Sequence, residues 1–199
     1  MQLPLDLDVS RKSYLELLCE HAKKGLYQLK PGPSAEDWAR CEEDLGVRLP
    51  DSFKVIATTF GPGVFGDYIS LYGPNRRDEW RRLTNHCQSV AGDRLAQLYP
   101  GHEFYPHAGG ILLFASFSYR LLAGFQGLES KVGTVSRGSK PKIVLIEDSG
   151  VEVLTVDFAE FLYRIVFNKP RMRGPISRSL HTRLYFHKQG PWFRPEECQ

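Results

Sequence analysis

The side chains here best suited to nucleophilic or metal chemistry are six histidines (His21, His86, His102, His107, His181, His187) and four cysteines (Cys19, Cys41, Cys87, Cys198). A zinc site read from sequence needs closely spaced ligands such as C-x-x-C or H-x-x-x-H, and neither occurs. His102 and His107 stand five apart in an expected loop, and the adjacent His86 and Cys87 diverge on an expected helix. A Cys–His nucleophile pair meets only in the fold, so Cys87 with a distant histidine is the residual candidate. There is no G-x-S-x-G, no P-loop, and no G-x-G-x-x-G after a strand. Gly61-Pro62-Gly63 reads as a turn, because Pro62 lacks a backbone N–H for phosphate and no Lys-Ser/Thr follows. Glu42-Glu43-Asp44 reads as an exposed acidic helix face, since neighbours on a helix diverge by about 100° and cannot converge on one ligand. No catalytic, cofactor-binding or metal-ligating residue is assigned, and the expectation is a protein that is not an enzyme.

The elements that position these residues are punctuated most densely from Ser34 to Pro74. Ser34 with Asp37 forms a capping-box pattern, and Trp38, Cys41 and Leu45 make one apolar stripe, with Gly46 as a left-handed stop. Pro50 suits the first turn of a second helix, whose stripe is Phe53, Ile56, Ala57 and Phe60. An earlier helix is expected from Ser10, as cap, to Lys24. After the glycine turn come a strand over Tyr68–Tyr72 and a long helix over Arg76–Leu98. Further strands are expected at Ile111–Ala115, Arg120–Phe125, Lys142–Glu147 and Val151–Val156, with Asp148-Ser149-Gly150 as a hairpin turn. Asp157, with Glu160 three residues on, caps a last helix. Strands joined by short links make an α+β single domain with a largely antiparallel sheet of about four to six strands and helices packed against it.

At 199 residues, 42% hydrophobic and 25% charged, the chain has material for one core. No apolar run approaches the roughly 20 residues that span a bilayer, and the N-terminus carries acids where a secretion signal needs a basic start. A cytoplasmic protein with reduced thiols is expected. Charge is uneven: 18 basic against 21 acidic residues precede Arg164, and eight basic against two acidic follow from there. The domain is expected over 1–168, with a core at 34–167, and residues 169–199 form a basic, aromatic-containing extension. That extension, with a short strand expected at Leu184–His187, reads first as a segment packed on the acidic body. Its cations and rings also have the composition of a nucleic-acid-binding segment.

Glu42, Leu45-Gly46, Leu49-Pro50, Phe53-Lys54, Gly61, Gly63, the run from His107 to Phe114 and the acid-capped helix from Asp157 together resemble the SUKH superfamily over about residues 34–167. That superfamily includes immunity proteins of bacterial polymorphic toxin systems and a fungal regulator of cell-wall synthesis. Where many members carry an Asn-Gly-Asp type turn after the central strand, this chain reads Ser116-Phe117-Ser118-Tyr119. The resemblance implies a non-enzymatic binding protein that neutralises a cognate toxin by direct contact, or else an intracellular scaffold of the same fold. Asp67, Tyr68 and Tyr72, which flank the glycine turn, and Glu42 and Glu43, as an acidic patch, are the candidate partner-binding residues.

Overall fold

The computed structural model describes residues 13–24, 31–61, 63–65, 69–74, 83–84, 93–117, 121–131, 140–167, 174–176 and 193–195. Helix α1 is Tyr14–Lys24, α2 Ala35–Leu45, α3 Asp51–Phe60, α4 Asp93–Leu98 and α5 Phe158–Val166. The strands are β1 Gly63–Phe65, β2 Ile69–Leu71, β3 Leu112–Phe117, β4 Leu121–Gln126, β5 Lys142–Glu147, β6 Gly150–Leu154 and β7 Phe193–Pro195. They form one seven-stranded sheet in the order β6-β5-β4-β3-β2-β1-β7, antiparallel at every pairing. The fold is therefore the expected α+β class, with seven strands where about four to six are expected. Two of them are unexpected: β1 falls within the stretch read as the glycine turn, and β7 comes from the basic extension and closes one edge of the sheet.

Local chemistry explains the element ends. In α2 the Ser34 hydroxyl accepts the Asp37 N–H at 3.2 Å, and the Asp37 carboxylate accepts the Ser34 N–H at 2.9 Å, so two otherwise orphaned donors are satisfied reciprocally. Gly46 ends the helix at φ 61°, ψ 18°, in the left-handed region where a side chain is strained. Asp157 accepts the Glu160 N–H at 2.9 Å and starts α5. The cap of α1 differs from expectation. Ser13, in place of Ser10, faces Glu16: its N–H donates to the Glu16 carboxylate at 2.7 Å and its hydroxyl accepts the Glu16 N–H. Serine recurs in the approach to this helix, and only the actual start of the helix selects between the two. Of the long helix expected over Arg76–Leu98, the described parts are helical at 83–84 and 93–98; the remainder, and the strand expected at Leu184–His187, lie outside the described residues.

Alternation along the central strands sorts the core into two clusters on opposite sheet faces. One face is covered by α1, α2, α3 and α5, and its buried residues include Leu112, Phe114, Leu121, Ala123, Phe125, Ile143 and Leu145. The other face holds Ile111, Leu113, Val144 and Ile146 beneath Leu95 of α4 and Phe104. A register shift between Leu113 and Ala115 interrupts the β3–β4 ladder. This bulge inserts one residue, so Phe114, Ala115 and Phe117 all join the helix-side cluster, where strict alternation would have sent Ala115 and Phe117 to the other face.

At the centre of the helix side is a cluster of rings. Phe53 of α3 lies 5.1 Å from Phe158, 5.4 Å from Phe125 and 5.7 Å from both Phe114 and Trp38, mostly edge-to-face, and Phe114 stacks on Phe125 at 4.2 Å. Edge-to-face contacts place positive ring edges against negative faces and add about 0.5–1.5 kcal/mol per pair beyond burial. Five elements thus meet at one side chain of α3. The Trp38 indole N–H donates to the Thr58 hydroxyl at 2.9 Å, which in turn donates to the Pro33 carbonyl. The chain entering α2 is thereby pressed against α3, so closely that a Cβ at Gly32 would run into the Thr58 backbone.

Candidate functional site

A concentration of paired charge sits where α2 turns into α3. Glu42 falls on the buried stripe of α2, so its carboxylate enters the domain with only 12% of the side chain exposed. A charge in that position needs compensation, and three groups from separate stretches supply it. The Leu49 backbone N–H donates to Glu42 Oε1 at 2.9 Å, Lys54 Nζ donates to the same oxygen at 2.9 Å, and Lys131 Nζ stands 3.7 Å from Oε2. Lys54 also reaches Asp51 at 3.1 Å.

The backbone holds this arrangement from the other side. Residues 128–131 run along the α2–α3 link, with Val47 bridged to Ser130; the Arg48 N–H donates to the Glu129 carbonyl at 2.9 Å and the Lys131 N–H to the Gly46 carbonyl at 2.8 Å. Between these walls lies an open cleft of about 460 Å³, whose lining includes Leu49, Pro50, Leu128 and Pro141 as well as the charged groups. Burial by itself would lower the Lys54 pKa, but its hydrogen bonds to Glu42 and Asp51, and their negative charges, hold it above the usual lysine value. Lys54 therefore stays an ammonium and acts as a fixed counter-ion, without the free amine a nucleophile needs.

The other titratable groups point the same way. Burial, followed by the charges of Asp44 and Glu42, pushes the Cys41 thiol up to about 12. Its thiolate is absent at neutral pH, and with it the reactive form of the group. Burial and then the Asp148 and Glu147 charges raise the Tyr99 phenol. His102 is half-buried and His107 exposed. Among the described residues no group of three His, Cys, Asp or Glu side chains converges as a metal site, and no described helix is long and apolar enough to cross a membrane. Cys87 lies outside the described residues.

The sequence-predicted contact residues separate rather than gather. Glu43 is exposed on α2, as expected. Glu42 is not on the exposed acidic face: the apolar stripe of α2 is wide enough to include it, and Lys54, Lys131 and the Leu49 amide consume its charge. Tyr72 is 1% exposed, inside the helix-side core, with its N–H donating to the Phe114 carbonyl at 2.8 Å. It follows β2 into the domain, so it is core rather than surface. Asp67 and Tyr68 lie outside the described residues. The cleft residues Arg48, Lys54, Glu129 and Lys131 were missed by sequence reasoning. The available signal was Glu42 itself, whose buried position requires a cation, although nothing in the spacing names residues 54 and 131.

Comparison with known proteins adds no relative: no family model matches the chain, and neither a curated protein nor a solved structure matches it.

Proposed function

We propose that this protein is a non-enzymatic binding protein of the SUKH type, acting as an immunity protein that neutralises a cognate bacterial toxin by direct protein–protein contact. The observation that carries this reading is where the resemblance residues fall. Gly46 is the left-handed end of α2, Leu49 and Pro50 lead into α3 with Pro50 at its N-cap, Gly61 is the C-cap of α3, and Asp157 is the cap of α5. These are the joints that set the path of the chain, so a shared pattern at these positions speaks for a shared framework. A supporting observation is that Glu42, Lys54 and Cys41 are occupied structurally.

Neutralisation by occlusion needs an interface of about 1,600 Å² with a few buried anchors. The framework residues are a poor source of such anchors: Leu49 is buried, Gly46, Pro50 and Gly61 are half-buried turn residues without a large side chain to insert, and Asp157 is engaged in its cap. The exposed cleft residues Arg48 and Asp51, with Glu43 exposed on α2, are the surface this reading uses; the candidate contacts Asp67 and Tyr68 lie outside the described residues. Co-expression with each adjacently encoded toxin is the direct test. Restored growth together with a co-purifying stoichiometric complex is the expected outcome. Absence of protection against every such toxin, with a stable host protein recovered instead, would replace immunity with a scaffold role.

A further inference from the structure

The two described anchor points of the basic extension lie on opposite edges of the sheet. Ile176 is buried in the helix-side core, and its N–H donates to the Glu152 carboxylate of β6 at 2.8 Å. Gly174 beside it leaves no room for a side chain against that carboxylate. Seventeen residues later the chain reappears as β7, six strand positions away at the far edge. At about 4.8 Å per strand the crossing is roughly 29 Å, well within the reach of about 3.3 Å per residue. Loss of β7 from its edge therefore does not require Ile176 to move.

The hold on β7 is slight. Its pairing is three residues long: Phe65 opposite Phe193, Val64 opposite Arg194 and Gly63 opposite Pro195. Pro195 has no N–H and so adds no donor to this short pairing. β1 itself is anchored less by its two-residue pairing with β2 than by Phe65, which is buried in the helix-side core, and an uncovered sheet edge presents unpaired N–H and C=O groups to any extended chain. The segment occupying it belongs to the strongly cationic end of a molecule whose remainder is net acidic.

We propose that β7 is a detachable strand, and that the outer edge of β1 takes in its place an extended, cationic strand from the binding partner. This inference rests on the binding-protein reading above and names how that partner is recognised: main-chain pairing gives adhesion, while the positions opposite Val64 and Phe65 give selectivity. The tail then acts as a resident competitor, keeping the edge covered until a better-paired strand arrives.

The test uses the full chain carrying Val64→Cys and Arg194→Cys, opposite each other across the β1–β7 pair, with Cys198→Ser. The probe is a fluorescent peptide of residues 186–195, a cationic segment that fits this edge by construction. The reduced protein should bind the peptide at least tenfold more tightly than the oxidised, locked protein, and the Arg194→Glu peptide should bind more weakly than the parent. Equal binding in both states, or binding in neither, overturns the proposal. So does a disulfide formed mainly between chains, which assigns the edge to a second copy. A toxin that binds locked and reduced proteins equally removes this inference and leaves the immunity reading standing. Failure of co-expression rescue with a positive peptide result removes the immunity reading instead.

Discussion

Phe53 and Lys54 are neighbours on α3, yet they serve two regions with opposite physics. Phe53 meets rings from α2, β3, β4 and α5, and any large apolar neighbour would provide much of the same burial. Lys54 meets two carboxylates at 2.9 and 3.1 Å, and no other kind of neighbour would serve. The ring cluster gains free energy roughly in proportion to area removed from water. The Glu42 cleft must first recover the cost of desolvating a carboxylate, and only good geometry does so. One region makes the domain stable; the other fixes how the α2–α3 joint sits against residues 128–131.

That contrast can be tested by removing each side's key member. Phe53→Ala should cost the most, about 3–5 kcal/mol from lost burial and the cavity left among five elements, read as a lower urea midpoint. Glu42→Ala should cost less, roughly 2–3 kcal/mol, because it strands a Lys54 ammonium that is 24% exposed and can turn towards Asp51 or water. A double-mutant cycle with Lys54→Met should show coupling near 1 kcal/mol or more; purely additive losses would mean that the clamp is not a unit. Asp157→Ala removes the α5 cap and should cost about 1 kcal/mol. Lys131→Ala, acting on a 3.7 Å contact, should cost under about 1 kcal/mol.

A pH series sharpens the same comparison. The folded state holds the Lys54 proton more tightly than the unfolded chain does, so its stabilisation is present below the ordinary lysine value of 10.5 and is lost as pH rises through the elevated folded value. The Cys41 thiol, at about 12 folded against 9.0, also ionises first in the unfolded chain, so stability falls further from pH 9 upwards. Denaturation midpoints of the parent and Lys54→Met should converge above pH 10.5, whereas the deficit of Phe53→Ala should persist. In the native protein at pH 8, Cys41 should resist alkylation until denaturant is added, as mass spectrometry of the labelled peptide would show.

Much of the frame was legible because it depends on local rules. Ser34, Gly46, Pro50, Gly61 and Asp157 punctuate elements through backbone geometry and nearby hydrogen bonds, which adjacent residues determine. The strand over Lys142–Glu147 is found as expected, and so is the turn into β6, where Gly150 adopts φ 135°. The candidate surface was much less legible. Tyr72 looked available beside a glycine turn, and Glu42 looked like part of a run of exposed acids, because local sequence shows polarity and spacing but not depth.

By itself the sequence determined the class of fold, the apolar stripes of α2 and α3, and the caps and stops that bound them, since these arise from interactions within a few residues. Only the tertiary structure decided that Glu42 is buried with Lys54 and Lys131, that Tyr72 is core, that the bulge in β3 carries Phe117 to the helix side, and that Phe193–Pro195 completes the sheet. Each of these depends on groups far apart along the chain, and the free energy that brings them together belongs to the assembled core rather than to any segment.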